Sequence, residues 1–435
     1  MTVNWCRGTA WAVPLQALLL LASVAAAEQP KTRVMPNGTF IQWYLVKNWD
    51  DATWQAEFRN LRELKMSYLV FAPTVETGQS YYPSQIPGVK EAAPGNDVVD
   101  ACLRNAERAG VKVFLGLNFH EDWWKKGPND PPWLYEQMKQ GNLVADELYS
   151  RYRAKYPHSF YGWYWVWEVD NGSFVSDKHA EVLAEALDIN LKHVKGLDPH
   201  MPVMLCPYMN CMLGKPEAWG AFCAKVFARC SLGTGDIFAP QDSIGAGGLV
   251  LKVLPAWFAE MRKAVDTKPG LRFWVDTETF DQSNWTSATI DRLDKQLRDV
   301  APFVEDGVTF AYSHYYSPHV VNPGWHRALK RYLQTGVVPA DKPAPPASVT
   351  SSKTAKGVQI SWTAAKGPFG DYGYDVFRDG KRIARVEPPK DERPENARAS
   401  FVDQTPGADV QAHYEVAAYD FYGNTSERIV AGTEL

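Results

Sequence analysis

One phrase repeats along most of this chain: a short β-branched or aromatic run, a polar Gly/Pro-rich loop, then an amphipathic stretch. The strand runs are Gly38–Leu45, Ser67–Glu76, Lys112–His120, Phe160–Asn171, Pro202–Met209, Asp236–Ser243, Leu271–Phe280 and Val308–Ser317. The helical stretches between and after them are Thr53–Lys65, Asp97–Ala109, Asn142–Tyr156, Asp177–Lys195, Lys215–Ala228, Leu254–Asp266, Thr286–Val300 and Gly324–Leu333. Asp97 and Asp177 read as N-caps, and Gly110 and Gly196 as C-terminal stops. Eight such units over about 300 residues is the count of a (β/α)8 barrel. An open doubly wound sheet shares the alternation, but no Gly-rich phosphate loop follows the first strand.

After Lys342-Pro-Ala-Pro-Pro346, a stiff linker, the pattern changes to short alternating strands: GVQISW, YGYDVFRDGKRIARV, ASFVDQ and HYEVAAYDFYGNTSE. Asp379-Gly380 between two alternating runs is a hairpin signal. About 90 residues of this kind make an immunoglobulin-like β-sandwich. Trp362 on an early strand and YEVAAYDFYGNTSE near the end resemble a fibronectin type III module. That resemblance implies a spacer or packing partner.

Residues 1–27 read as a signal peptide: Arg7, an apolar run from Leu15, then Ala25-Ala26-Ala27. The run is too short to span a bilayer, where about 20 residues are needed, and no later segment approaches one. The expected division is 1–27 signal, 28–340 barrel, 341–435 sandwich, with the mature chain secreted or periplasmic. With 46 Lys+Arg against 50 Asp+Glu, the chain lacks the basic footprint of a nucleic-acid binder. Four of the cysteines (Cys206, Cys211, Cys223, Cys230) fall close together, and one or two disulfides there are as compatible with the sequence as free thiols. Nothing has zinc-site spacing, so neither metal nor cofactor is implied.

In a (β/α)8 barrel the chemistry gathers at the C-terminal ends of the strands. Those positions carry Gln42 and Trp43; Glu76; Asn118, His120 and Glu121; Glu168, Asp170 and Asn171; Tyr208 and Asn210; Gln241 and Asp242; Asp276 and Glu278; His314 and Tyr316. The ring is polar and acidic, with no Lys or Arg. On the seventh strand, alternation sends Phe273 and Val275 outward and Trp274, Asp276 and Glu278 inward; aromatics occupy both parities of the fourth. Carboxylates ending strands four and seven face each other across the mouth. Glycoside hydrolysis needs such a pair, one to protonate the leaving oxygen and one as nucleophile or base. Glu168 and Glu278 are the candidates, with Asp170 and Asp276 as like-charged neighbours that raise proton affinity. Asp276 is an alternative second carboxylate.

The layout is similar to the large clan of retaining (β/α)8 glycoside hydrolases. More specifically, GTFIQWYLVKNW, FYGWYWVWEVDN, FAPQDSIGAGG and FWVDTETF resemble a glycosidase-like barrel family known as domain of unknown function 4434. The resemblance covers about residues 36 to 335. It implies Glu168 as acid/base and Glu278 as nucleophile. The chain departs from the clan at Trp167, where an Asn usually contacts the sugar 2-hydroxyl; Asn118 or Asn210 could supply that contact.

Tryptophan is abundant, 17 residues, and Trp43, Trp49, Trp123, Trp124, Trp274 and Trp285 fall near strand ends, where sugar faces stack. Trp163, Trp165 and Trp167 share one strand face and read as packing. The loops Glu76–Asn96 and Glu121–Gly141 are expected to wall one side of a cleft. The expectation is therefore a glycoside hydrolase acting on a polysaccharide or oligosaccharide. Gln42, Trp43, Glu76, Asn118, His120, Trp124, Asp170, Tyr208, Asn210, Gln241, Asp242, Asp276, His314 and Tyr316 are its candidate sugar contacts. Retention follows if the pair stands about 5–5.5 Å apart. The alternative is a non-catalytic glycan-binding protein using the same mouth.

Overall fold

The computed structural model describes residues 32–394 and 396–433; the expected signal peptide lies outside them. Eight parallel strands close a barrel: β1 Gly38–Gln42, β2 Tyr68–Ala72, β3 Lys112–Gly116, β4 Phe160–Trp165, β5 Val203–Leu205, β6 Ile237–Phe238, β7 Arg272–Glu278 and β8 Asp306–Phe310. Each pairs with its neighbours in sequence, and β8 closes on β1 through Gly38 opposite Val308. Eight helices follow the strands: α1 Asp51–Glu63, α2 Val98–Ala109, α3 Pro131–Leu148, α4 Asp177–Leu197, α5 Pro216–Arg229, α6 Leu254–Asp266, α7 Ile290–Val300 and α8 Gly324–Thr335. Among the described residues no helix is long and apolar enough to cross a membrane.

Side-chain alternation builds two apolar layers. Phe40, Val70, Phe114, Tyr164, Met204, Ile237, Trp274 and Val308 fill the barrel, while Ile41, Phe71, Leu115, Trp163, Trp165, Phe273 and Val275 pack outward against the helices. The seventh strand follows the parity expected of it. The Trp163–Trp165–Trp167 row faces the helices, not the interior.

The strands are shorter than the sequence suggested, because the chain leaves the sheet where the mouth begins. After β1 it turns into a short helix at Trp43–Val46, and after β8 into another at Tyr312–Tyr315. Helix α3 starts earlier than expected: Pro131 and Pro132 occupy its first turn, which needs no N–H donor, and Asp130 caps it. Asp97 caps α2, and Gly110, at φ 69°, ends it. For α4 the cap is Ser176, one residue before Asp177, and the helix runs through Gly196 to Leu197. The described cysteines, Cys102, Cys206, Cys211, Cys223 and Cys230, all carry free thiols.

The C-terminal segment forms two four-stranded sheets. One holds Ala347–Thr354, Gly357–Thr363, Arg398–Asp403 and Gly432–Thr433; the other holds Gly373–Arg378, Lys381–Val386, Tyr414–Tyr419 and Ile429–Val430. Asp379 and Gly380 link the central hairpin as a two-residue turn, both with positive φ. One apolar cluster between the sheets includes Val358, Ile360, Trp362, Tyr374, Val376 and Val416. The segment is fastened to the barrel: Phe421 packs edge-on against Trp325, with ring centroids 4.8 Å apart, and its carbonyl accepts from Ile290 N–H at 2.9 Å.

Candidate active site

The C-terminal ends of the strands open into one continuous cleft, formed by cavities of about 260 and 520 Å³ that share Gln42, Trp124, Glu168, Gln241 and Phe310. Grooves of about 520 and 510 Å³ also lie on the outer face of α3–α5 and at the N-terminal end of the barrel. Only the mouth gathers carboxylates from several strands, which is where this fold does chemistry.

Loops after β2 and β3 build one wall. Val75–Glu76, Gln79–Ser80, Lys90–Glu91 and Asn118–Phe119 pair into a small mixed sheet. Glu76, Phe119, Glu121 and Trp124 from this wall line the smaller cavity. The opposite side is a hairpin, Phe280–Asp281 with Thr286–Ser287. It carries Trp285 at φ 52°, a left-handed conformation that is uncommon for a bulky residue and is often kept where function requires it.

Glu168 follows β4 and faces the cleft; its Oε2 accepts from Gln241 Nε2 at 2.9 Å. Burial, with Asp170 adding, raises its proton affinity above the ordinary carboxylate range, and the Gln241 bond offsets part of that rise. Glu278 ends β7, is 1% exposed, and accepts the Ala246 backbone N–H at 2.7 Å through Oε2. Burial and the nearby Asp242 and Glu168 push its pKa up, while the Ala246 bond and Arg292 pull it down. The Gly245-Ala246-Gly247-Gly248 loop lies close against the site. A Cβ at Gly245 would stand 2.3 Å from the Phe280 carbonyl oxygen and 3.1 Å from Glu278 Oε2. A Cβ at Gly248 would stand 2.2 Å from the Met209 carbonyl oxygen. Burial, and then Glu278 and Glu168, raise the pKa of Tyr208.

Asp276 lines the smaller cavity, is 2% exposed, and its Oδ1 has no hydrogen-bond partner. Burial, Glu278, Asp242 and Glu168 all hold its pKa well up. Asp242 serves differently. It is wholly buried behind Glu278, accepts the Glu278 backbone N–H at 3.3 Å and Gln296 Nε2 at 2.7 Å, and does not line the cleft.

Of the residues expected to contact sugar, the cleft brings together Gln42, Glu76, Trp124, Tyr208, Gln241 and Asp276 beside Glu168 and Glu278. The others sit elsewhere. Trp43 stacks on Tyr81 (4.2 Å, 12°) behind the wall and donates to Glu76 at 2.7 Å. Asn118 turns toward α3, donating to the Gln137 carbonyl, with its Oδ1 against Gly141. It is therefore unavailable as the 2-hydroxyl contact. Asn210 is held by Asn171 and by the Met212 N–H. Asp170 caps the turn at Gly172 and Ser173. His120 accepts the Asp122 N–H and sits edge-on to Trp133. His314 lies under Gln42 and Phe310, accepts the Gln42 N–H at 3.3 Å, and burial lowers its pKa to about 4, so it is neutral. Tyr316 is wholly buried, bonded to the Ala288 carbonyl and packed on Trp325, outside the cleft.

The remaining tryptophans divide similarly. Trp49 packs on Trp54, Trp123 is buried with its Nε1 on the Glu168 carbonyl, and Trp274 lies in the barrel interior. Trp124 (59% exposed) and Trp285 (63%) are the tryptophans presented to the cleft. Sequence reasoning did not select Tyr44, Phe280, Gln282, Phe310 or Tyr315, which also line it. Phe310 could have been found by extending the eighth strand's alternation from Val308; the others sit on turns whose direction no periodicity encodes.

Residues 37–322, more than half the chain, match the family described as Domain of unknown function (DUF4434), and the chain belongs to that family. It is similar to Exoglucanase B of Cellulomonas fimi, 27% identical over 176 residues, which is 36% of this chain and only 15% of that protein. A solved structure of a candidate alpha-L-fucosidase from Bacteroides thetaiotaomicron VPI-5482 superposes with a TM-score of 0.59 at 19% identity, over 75% of this chain and 99% of that one. A GH39 beta-xylosidase from Caulobacter crescentus aligns at 15% identity over 80% and 83% of the two chains, with a TM-score of 0.45. At these identities the first structural likeness speaks to the barrel fold alone.

Proposed function

We propose that this family member is a glycoside hydrolase, with Glu168 as general acid/base and Glu278 as nucleophile. The observation that carries the reading is a pair of carboxylates at the ends of strands four and seven, Glu168 partly buried and Glu278 fully buried, both facing one cleft and each steadied by one hydrogen-bond donor. Glycosidic bond cleavage needs one carboxyl that keeps its proton and one that loses it. Burial favours the protonated form of Glu168, as an acid requires. Four neighbouring carboxylates, Asp242, Asp276 and Glu278 buried and Glu168 partly so, cannot all ionise together. Asp276, with its unpartnered oxygen, is the natural holder of a proton. Glu278 must lose its proton to attack; burial, Asp242 and Glu168 raise its pKa to about 8, and the Ala246 N–H is the contact that favours its anion. Attack by Glu278 on the anomeric carbon would form a glycosyl ester as Glu168 protonates the departing oxygen. Glu168 would then deprotonate the water that releases the sugar.

The rival reading, glycan binding without chemistry, draws on Trp167 standing where the clan has Asn. Trp167 is buried among Phe119, Trp123 and Trp133, so the position faces the helix layer in this chain. Gln241 supplies a polar partner to Glu168 instead, which favours the hydrolase. Export through residues 1–27 and a fibronectin type III-like role for the C-terminal sheets belong to the same proposal; the apolar cluster around Trp362 supports the latter.

The test is sugar release from a broad polysaccharide and aryl-glycoside panel. Release by wild type, cut roughly a thousandfold in folded Glu168→Gln and Glu278→Gln, is the expected result. Release that survives both changes would move the roles to other carboxylates. Binding without release would favour the rival.

A further inference from the structure

The cleft holds more carboxylates than the proposed chemistry uses. Beyond Glu168 and Glu278, the smaller cavity is lined by Glu76, Glu121 and Asp276, and no Lys or Arg lines either cavity. None of these five groups takes part in an ion pair among the described residues, although ion pairs are plentiful on the outer helices. Arg292, the cation that acts on Glu278, does so from behind, donating to the Glu278 and Phe280 carbonyls.

Uncompensated charge in a half-buried site is costly, so Asp276 keeps its proton while the cavity is empty, and a cationic donor entering there would take that proton's place. Asp276 is 2% exposed, it faces the cavity, and its Oδ1 has no partner. Glu76 is tied on one oxygen to Trp43 Nε1 and Tyr81, and its charged neighbour is another acid, Glu121. The compensating cation is not indicated to be a metal, since among the described residues no three His, Cys, Asp or Glu side chains converge as ligands. Aromatic faces of Trp124, Phe119 and Phe310 border the same space. Carboxylates interleaved with aromatic rings suit an organic ammonium, by charge and by cation–π attraction.

Resting on the reading of this cleft as a sugar site, we propose that its ligand is an amino sugar bearing a free, protonated amine, held in the Glu76–Glu121–Asp276 cavity. Uronate and sulfated glycans are correspondingly repelled, because a second anion would enter a cavity without a cation.

Binding of matched oligosaccharide pairs tests this. Glucosamine and galactosamine oligomers, each as the free amine and as the N-acetyl form, are titrated by calorimetry beside a polyuronate at low salt and neutral pH. The free-amine members should bind at least tenfold more tightly than their N-acetyl twins, with no uronate binding and no change in EDTA. The ratio should fall toward one in Glu76→Gln and in Glu121→Gln. Glu121 is exposed, so its variant keeps the test open if Glu76→Gln unfolds. Equal or better binding of N-acetyl or uronate glycans, no binding of any free-amine oligomer, or loss of the preference in EDTA would overturn the proposal. The two readings fail separately. Amine-selective binding without bond cleavage would sink the hydrolase and leave the charge inference standing. Cleavage of a neutral glycan without amine preference would do the reverse.

Discussion

Glu57 on α1 offers a stability experiment that needs no substrate. It is 1% exposed, and its Oε2 accepts from Ser317 Oγ at 2.6 Å, tying α1 to the segment after β8 that carries Tyr315 into the cleft. Its Oε1 has no partner. The nearest cationic candidate, His319 Nε2 at 4.0 Å, is held below its usual pKa by burial, Lys390 and Arg59, and brings no charge at neutral pH. Burial therefore raises the Glu57 pKa from 4.5 to about 7. Between those values the unfolded chain releases a proton that the folded chain keeps, so stability falls as pH rises. The favourable contribution is complete below pH 4.5 and gone above the folded value. At about 1.4 kcal/mol per unit, the span amounts to roughly 3 kcal/mol.

Glu57→Gln keeps the shape and removes the titration. Urea unfolding of both proteins between pH 4.5 and 8 isolates the group, because other titrations cancel in the difference. The variant should gain on wild type by roughly 3 kcal/mol across that range, with the change centred between pH 5 and 7. A difference that stays flat would refute the reasoning, and would mean that Glu57 is ionised in the fold or solvated by paths the geometry does not show.

Other expectations follow from the same contacts. Gly245→Ala forces a Cβ against the Phe280 carbonyl at 2.3 Å, so the loop must move and the Ala246 bond to Glu278 weakens. The loss of a hydrogen bond to a charged group, about 1.5–3 kcal/mol, should shift the acidic limb of the pH–rate profile upward by one to two units. Trp285→Ala should leave the melting temperature nearly unchanged, since the ring is 63% exposed. It should weaken glycan binding by about 0.5–1.5 kcal/mol, the worth of a stacked aromatic, read by calorimetry. Of the five described thiols, Cys211 alone is not buried. Thiol titration of the native protein should therefore give one fast-reacting cysteine among them, and four more only on unfolding.

The barrel was legible because its signal is redundant. Each strand carries apolar residues on both faces, and Phe273/Val275 against Trp274 shows how period two separates the outer layer from the inner. The site was legible only as far as the strands extend. Glu278 and Asp276 lie on β7 itself, so parity placed them. Asn118, Asn210 and Tyr316 lie past the last pair of the barrel ladder, where the chain bends and the barrel's alternation no longer reports direction. Backbone partners settle those orientations, as the Gln137 carbonyl does for Asn118. Tyr44 and Tyr315 reach the cleft from one-turn helices that interrupt runs reading as continuous strand. Ala246 acts through its backbone N–H, which no side-chain pattern reveals.

The most direct test of the assigned pair is chemical rescue by azide, using an aryl glycoside that the wild type cleaves. Azide should restore turnover to Glu278→Ala by attacking from the vacated face, giving a glycosyl azide of inverted anomeric configuration. With Glu168→Ala it should intercept the glycosyl ester and give the azide of retained configuration. Two products of opposite anomeric configuration would establish Glu278 as nucleophile and Glu168 as acid/base. Wild-type rates without azide in either variant, or the same anomer from both, would contradict the account.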